Sequence, residues 1–242
     1  MSKNKITLIL LILGSFSCKS YYHFVQGKAT NARISAAPDT SVNNLIFPYK
    51  ESLDAKMNGV LAKCPVTLNK DKPESTLTNW VSDAIHHQAS MAYSEPIAFA
   101  FTNYGGIRIP ELSKGDITLG KIFELMPFDN IFVLVKINGT DLQKFLNYIA
   151  ESGGSSISSS LRFTIDGKKA INATVDNKPI QITGQYYIGL SDYIANGGDN
   201  QTYLKNLPRI DKNILIRDML AKEAKEKGLI EATLDQRISI IK

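Results

Sequence analysis

Histidine and cysteine are scarce in this sequence. It holds three histidines (His23, His86, His87) and two cysteines (Cys18, Cys64) in 242 residues. A Cys/His zinc centre needs about four ligands, and a two-metal hydrolase draws on several histidines plus carboxylates. No HxH, DxH or HExxH spacing occurs. Histidine-rich metal catalysis confined to this one chain is therefore excluded. Clustered positive charge is lacking as well. The formal charge is +5, and removing Lys3 and Lys5 from the 28 basic residues leaves 26 against 23 acidic, a net +3. That balance is too weak and too dispersed for a nucleic-acid partner, which needs clustered basic residues. No internal repeat is evident. What is present is apolar residue enough for a real core, at 43% of the chain.

The N-terminus reads as an export signal. Lys3 and Lys5 form a positive region, followed by an apolar run from Ile6 to Leu13 broken only by Thr7. That run is too short to span a bilayer and fits the apolar core of a signal peptide. Ser17 directly before Cys18 resembles a bacterial lipoprotein cleavage site, which makes Cys18 the expected lipid attachment point and residues 1–17 the signal. An ordinary secretory cleavage, with Cys18 incidental, is the alternative. With Cys18 lipidated, Cys64 is left as a shielded thiol without an intrachain partner, although export normally favours paired cysteines. Anchoring would rest on the several acyl chains of a lipoprotein, since one binds only marginally. The expected location is the bacterial cell envelope, periplasmic or surface-facing.

Residues 18–43 are polar and mixed, and read as a tether. One domain is expected over 44–242. Leu77, Trp80, Val81, Ala84 and Ile85 recur at helical spacing, and Ile97 to Phe101 reads as a buried strand. Ile117 to Leu125 is ambiguous, with a short helix as one reading. Ile131 to Ile137 reads as a strand, ended by the Asn138-Gly139 turn. Thr140 to Gln143 matches a capping box opening a helix with Leu142, Phe145, Leu146 and Ile149 on one face. Leu161 to Ile165, Tyr186 to Leu190 and Ile238 to Ile241 read as strands, and Asn213 to Lys227 as a helix. The fold class is α+β, a mixed sheet with packed helices.

Three loops carry chemistry. The first, Asn103-Tyr104-Gly105-Gly106-Ile107-Arg108, follows a buried strand. Its paired glycines permit a tight turn and close ligand approach. Arg108 offers a planar fork suited to phosphate or a ring edge. The plain alternative is a glycine turn followed by a surface arginine. The second, Met126-Pro127-Phe128-Asp129-Asn130, presents an aromatic ring unless Phe128 packs in the core. The third runs from Asp192 through Tyr193 to Asn196-Gly197-Gly198-Asp199. There Asp199 either accepts hydroxyl groups or braces the turn. Together they offer two aromatics to sandwich a flat base, with polar groups to read its edge and sugar.

These loops, in this order, resemble the C-terminal domain of the 5′-nucleotidases, also called UDP-sugar hydrolases. The resemblance runs from Leu45 to Lys242 and rests on Glu74 to Asn79, N-Y-G-G-I-R, P-F-D-N and Y-I-A-N-G-G-D. It implies a 5′-nucleotidase C-terminal domain-like fold. It implies that Phe128 and Tyr193 stack on the base, Asn130 meets its edge and Asp199 holds the ribose. Asn103, Gly106 and Gly198 complete the site, with Arg108 toward phosphate. Tyr193 replaces the family's usual Phe, and Tyr104 replaces a Gly. The family's phosphate-binding Arg is Asp71 here, flanked by Lys70 and Lys72. The family's hydrolytic domain, with its two metals, has no counterpart among these motifs. The expectation is a nucleotide-recognition domain that is inactive alone, holds no cofactor itself and works with divalent metals on a separate metallophosphoesterase chain. A lipid-anchored nucleoside or nucleotide scavenging receptor is the alternative. His86 and His87 are adjacent on a helix and point about 100° apart, so they make no shared site.

Overall fold

The computed structural model describes residues 39–241. The export segment, Cys18 and the tether through residue 38 lie outside the described residues. The chain divides into two units between Leu45 and Ile46, and the second holds most of the described residues. Helix α1 (Thr40–Met57) begins inside the expected tether and runs across the expected 43/44 boundary. Asp39 supports its start, accepting from the backbone N–H of Ser41 at 2.8 Å. None of its side chains is buried. Among the described residues no helix is long and apolar enough to cross a membrane.

In chain order the second unit then contains β1 (Val60–Cys64), β2 (Leu68–Asn69), α2 (Thr76–Ala92), β3 (Ile97–Thr102), β4 (Glu111–Leu112) and β5 (Gly115–Thr118). These are followed by α3 (Leu119–Leu125), β6 (Ile131–Asn138), α4 (Gly139–Glu151), β7 (Ser156–Ile157), β8 (Leu161–Asp166) and β9 (Lys169–Val175). The chain closes with β10 (Lys178–Pro179), β11 (Gln185–Ser191), α5 (Asp192–Ala195), β12 (Arg209–Leu215), α6 (Ile216–Lys227) and β13 (Ile238–Ile240). The central sheet has the order β12-β6-β11-β3-β7 and is mixed, because β11 runs parallel to β3 and antiparallel to β6. A second sheet of order β10-β9-β8-β13 is also mixed. The architecture is therefore the α+β class expected.

The period-two pleat of β6 splits the core in two. Phe132 and Leu134 face a cluster with Trp80, Val81 and Ile85 of α2 and Leu220 of α6. Val133, Val135 and Ile137 face another with Phe145 and Ile149 of α4 and Phe163 of β8. Helix α2 starts where Ser75 and Thr78 form a reciprocal capping box. Two sequence expectations need correction. Helix α4 is capped by Asn138, whose Oδ1 accepts from the Asp141 N–H at 2.9 Å, not by Thr140. The Asn138 cap starts the helix at Gly139, two residues before the start that a Thr140 cap would set. The segment read as one helix from Asn213 begins as strand, with Asp211, Ile214 and Leu215 pairing with Val133, Phe132 and Ile131. Asn213 is a left-handed bulge residue (φ 55), which hides the strand's alternation. The segment left ambiguous contains the end of β5, with Ile117, and then a short helix at Leu119–Leu125.

The topology fixes where the three loops go. Strands β3 and β11 are parallel neighbours, so their C-terminal ends lie at the same end of the sheet. Strand β6 is antiparallel to β11, with Phe132 opposite Ser191, so its beginning lies there too. The first loop leaves β3, the second enters β6 and the third leaves β11.

Candidate functional site

These three loops surround a cavity of about 300 Å³. Asn103, Gly106, Arg108, Phe128, Asn130, Tyr193 and Asp199 line it, together with Gly105, the other member of the glycine pair in the first loop. Gly198, the eighth expected residue, is not in the lining. Its role is steric, because a Cβ there would stand 2.6 Å from carbons of the Tyr193 ring. Phe128 is 41% exposed and Tyr193 46% exposed, so neither ring belongs to the core. Large apolar rings left open beside polar groups mark a binding surface rather than a folding requirement.

The second loop is held from outside. Arg217, buried at the start of α6, donates to the carbonyls of Pro127 (3.2 Å) and Phe128 (3.3 Å) and to Asp129 Oδ1 (2.6 Å). Its guanidinium also lies 4.0 Å from the Phe123 ring centroid. The third loop is tied to the second strand entry, since Asp192 Oδ1 accepts from the Ile131 N–H at 3.1 Å. Asp199 sits in the left-handed region (φ 49) and accepts from Asn103 Nδ2 and Tyr148 Oη at 3.1 Å and from Tyr193 Oη at 2.9 Å. Burial first, and then the charge of Asp199, push the Tyr148 phenol up, so it stays protonated and donating. Neither Arg217 nor Tyr148 carries a local sequence signal. Each reaches the site from a helix distant in the chain.

The rim beside Arg108 is cationic. Lys70 Nζ lies 4.0 Å and Lys72 Nζ 4.9 Å from the Tyr104 ring centroid. Lys70 also donates to the Ile107 carbonyl at 2.6 Å. Burial, and after it the nearby charges of Arg108 and Lys72, hold Lys70 below the usual ammonium range. Tyr104 is thus a platform for these lysines. It has no positive φ and does not line the cavity. Arg108 itself lies 5.5 Å from the Phe128 ring centroid.

Other residues of the sequence pattern serve the framework. Glu74 accepts from the backbone N–H groups of Gln236 and Ile238, and Asn79 donates to the Thr233 carbonyl, so both hold the C-terminal segment. The two adjacent histidines go separate ways, His86 to the Ile97 carbonyl (3.2 Å) and His87 to Glu223 (2.7 Å). Among the described residues no three or more His, Cys, Asp or Glu side chains converge to hold a metal ion. A larger cavity of about 590 Å³ lies elsewhere, bounded by Trp80, His87, Glu223 and Arg237. It shares no lining residue with the three-loop cavity, and within it His87 is bonded to Glu223 and Arg237 to Asp83.

Residues 55–206 match the family model described as 5′-nucleotidase, C-terminal domain. Protein UshA of Yersinia enterocolitica is 27% identical over 71% of this chain and 32% of its own length. A 5′-nucleotidase of Vibrio parahaemolyticus is 25% identical over 78% of this chain and 32% of its own length. A cell wall protein of Listeria monocytogenes is 28% identical over 72% of this chain and 24% of its own length. The 5′-nucleotidase precursor of Thermus thermophilus superposes with a TM-score of 0.70 at 27% identity, covering 85% of this chain and 44% of the other. This chain spans about a third of the length of the first curated relatives it matches. The match covers well over half of the sequence, and the chain belongs to the 5′-nucleotidase C-terminal domain family.

Proposed function

We propose that this domain is the nucleotide-recognition unit of a 5′-nucleotidase-type phosphohydrolase acting in nucleotide catabolism. One observation carries the reading. Loops that leave β3, enter β6 and leave β11 bring two exposed aromatics, two amides, a carboxylate and an arginine around one cavity of about 300 Å³. A cavity of that size, with flat apolar walls and a few placed polar groups, suits a nucleoside. Phe128 and Tyr193 would stack on the base, Asn130 would meet its edge and Asp199 would hold the ribose. Arg108, with Lys70 and Lys72 on the rim, would face the phosphate.

The domain's contribution to hydrolysis is positioning. Base and sugar contacts hold the phosphoester in a fixed orientation, which lowers the entropic part of the barrier. Divalent metals and the activated water would come from a separate metallophosphoesterase chain. The name of the Listeria relative supports a place in the cell envelope. A lipid on Cys18 would anchor the chain there, facing the periplasm or the surface.

The test is to mix the purified chain with a candidate metallophosphoesterase and measure phosphate release from a nucleoside monophosphate. A gain over the partner alone is expected, and no gain sinks the proposal. The completeness of the cavity within one chain favours a second reading, a nucleotide-scavenging receptor. Tight calorimetric binding of the monophosphate together with no gain on mixing would select it.

A further inference from the structure

The Asp199 carboxylate accepts three side-chain hydrogen bonds from its own chain. A carboxylate offers about four acceptor positions, two on each oxygen. Oδ2 accepts from both Asn103 Nδ2 and Tyr148 Oη, each at 3.1 Å. That oxygen is full. Oδ1 accepts from Tyr193 Oη at 2.9 Å, which leaves one position open.

The tether from Tyr193 is held from several sides. The Asp199 backbone N–H donates back to Tyr193 Oη at 3.4 Å, so the phenol both gives and receives. Gly198 leaves no side chain between them, and any Cβ there would press on the ring at 2.6 Å. Asp199 itself stands in the left-handed region (φ 49), and its Oδ1 lies 2.9 Å from the phenol. Phenylalanine at position 193 would keep the ring face and lose this bond.

Resting on the reading that the cavity holds a nucleoside, we propose that Tyr193 sets the pocket's sugar specificity by occupying Asp199. With one acceptor position left, Asp199 takes one ribose hydroxyl, not the vicinal pair. Either the 2′- or the 3′-hydroxyl fills that position, because they are neighbours on one edge of the ring. Loss of one is covered by the other. Loss of both leaves the last carboxylate position without a donor. The domain therefore accepts 2′-deoxynucleosides nearly as well as ribonucleosides.

The experiment is calorimetric titration of the full chain with adenosine, 2′-deoxyadenosine, 3′-deoxyadenosine and 2′,3′-dideoxyadenosine, repeated on Tyr193→Phe. In the natural chain both monodeoxy nucleosides are expected within about threefold of adenosine, and the dideoxy compound weaker by on the order of tenfold or more, the scale of one charge-assisted hydrogen bond. In Tyr193→Phe, Oδ1 regains a second position. Each monodeoxy nucleoside should then fall to roughly tenfold below adenosine. A natural chain that already loses about tenfold for each hydroxyl, cumulatively, shows that the sugar displaces Tyr193. That overturns the inference and leaves the nucleoside reading intact. Identical hydroxyl ratios in the two chains also overturn it. A dideoxy compound that binds as well as adenosine shows that Asp199 holds no ribose hydroxyl, which overturns the inference and leaves base recognition intact. Failure of adenosine to bind removes the nucleoside reading and this inference with it.

Discussion

Arg217 stands 2.6 Å from Asp129 Oδ1 and gives two further hydrogen bonds to the carbonyls of Pro127 and Phe128. One buried guanidinium thus holds three consecutive residues of the loop that presents Phe128. Arg217→Met should cost about 2–4 kcal/mol of stability, because the loop loses its charged anchor and its carbonyls lose donors. Nucleoside affinity should fall as well, though Arg217 does not line the cavity. Denaturant unfolding and calorimetry on the same variant read both effects. Unchanged affinity would show that the loop keeps its shape without the anchor.

Phe128 provides the complementary case. It is largely free of the core, so Phe128→Ala should change stability by less than about 0.5 kcal/mol. Loss of one stacking face should weaken nucleoside binding by roughly tenfold. Calorimetry decides it, and a variant that binds normally would count against stacking at this position.

Gly106 couples backbone and site in a small space. A Cβ there would come to 2.8 Å from Asn103 Oδ1. The atom in the way is the tip of a movable side chain, so Gly106→Ala should cost little stability. The amide must swing aside, however, and its donation to Asp199 at 3.1 Å is the contact at risk. Weaker nucleoside binding with an unchanged melting curve is expected, and a crystal structure of the variant would show Asn103 displaced.

The cationic rim should distinguish a nucleotide from a nucleoside. Lys70→Met and Arg108→Met are each expected to weaken monophosphate binding by about threefold to tenfold, on the scale of exposed charge pairs. Lys70→Met should leave nucleoside binding almost unchanged, and added salt should shrink the difference. Lys70 titrates below the ordinary ammonium range, so the unfolded chain holds its proton more tightly. Stability therefore rises with pH as Lys70 discharges, and bound phosphate should oppose that rise. Titrations at two ionic strengths test the first claim.

A different pH response belongs to Asp235. Burial pushes its carboxyl up, but the hydrogen bond and charge of Arg237, with Arg162 behind them, outweigh burial and hold it below the usual range. The stability it contributes is present above the unfolded carboxylate range and is lost as pH falls through the folded value. Asp235→Asn should cost about 1–2 kcal/mol at neutral pH, moderated because Arg237 keeps Asp83 at 2.9 Å. The difference from the natural chain should vanish in strong acid. Urea melts at pH 7 and pH 3 check the sign.

Much of the site's framework was legible because its signals are local. Paired glycines, a stiffening proline and aromatics at loop positions mark segments 103–108, 126–130 and 192–199 without reference to the rest of the chain. Their convergence follows from strand order, which local patterns do not encode. Arg217 and Tyr148 escaped for the same reason. Each reads as an ordinary helical residue until β6 and β11 pair. The start of α6 was misplaced because the bulge at Asn213 breaks the alternation of β12. The helix at Thr40 escaped because no apolar period marks its first turn, and its side chains are not buried.

The parallel pairing of β11 with β3 has a kinetic consequence. The cavity joins residues from Asn103 to Asp199, and no two of its loops are sequence neighbours. Closing it requires the long-range registration of β3, β6 and β11, which is slow relative to the formation of local helices. During refolding, helical signal should therefore return before nucleoside binding does. A fluorescent nucleoside would act as a clock for completion of the central sheet.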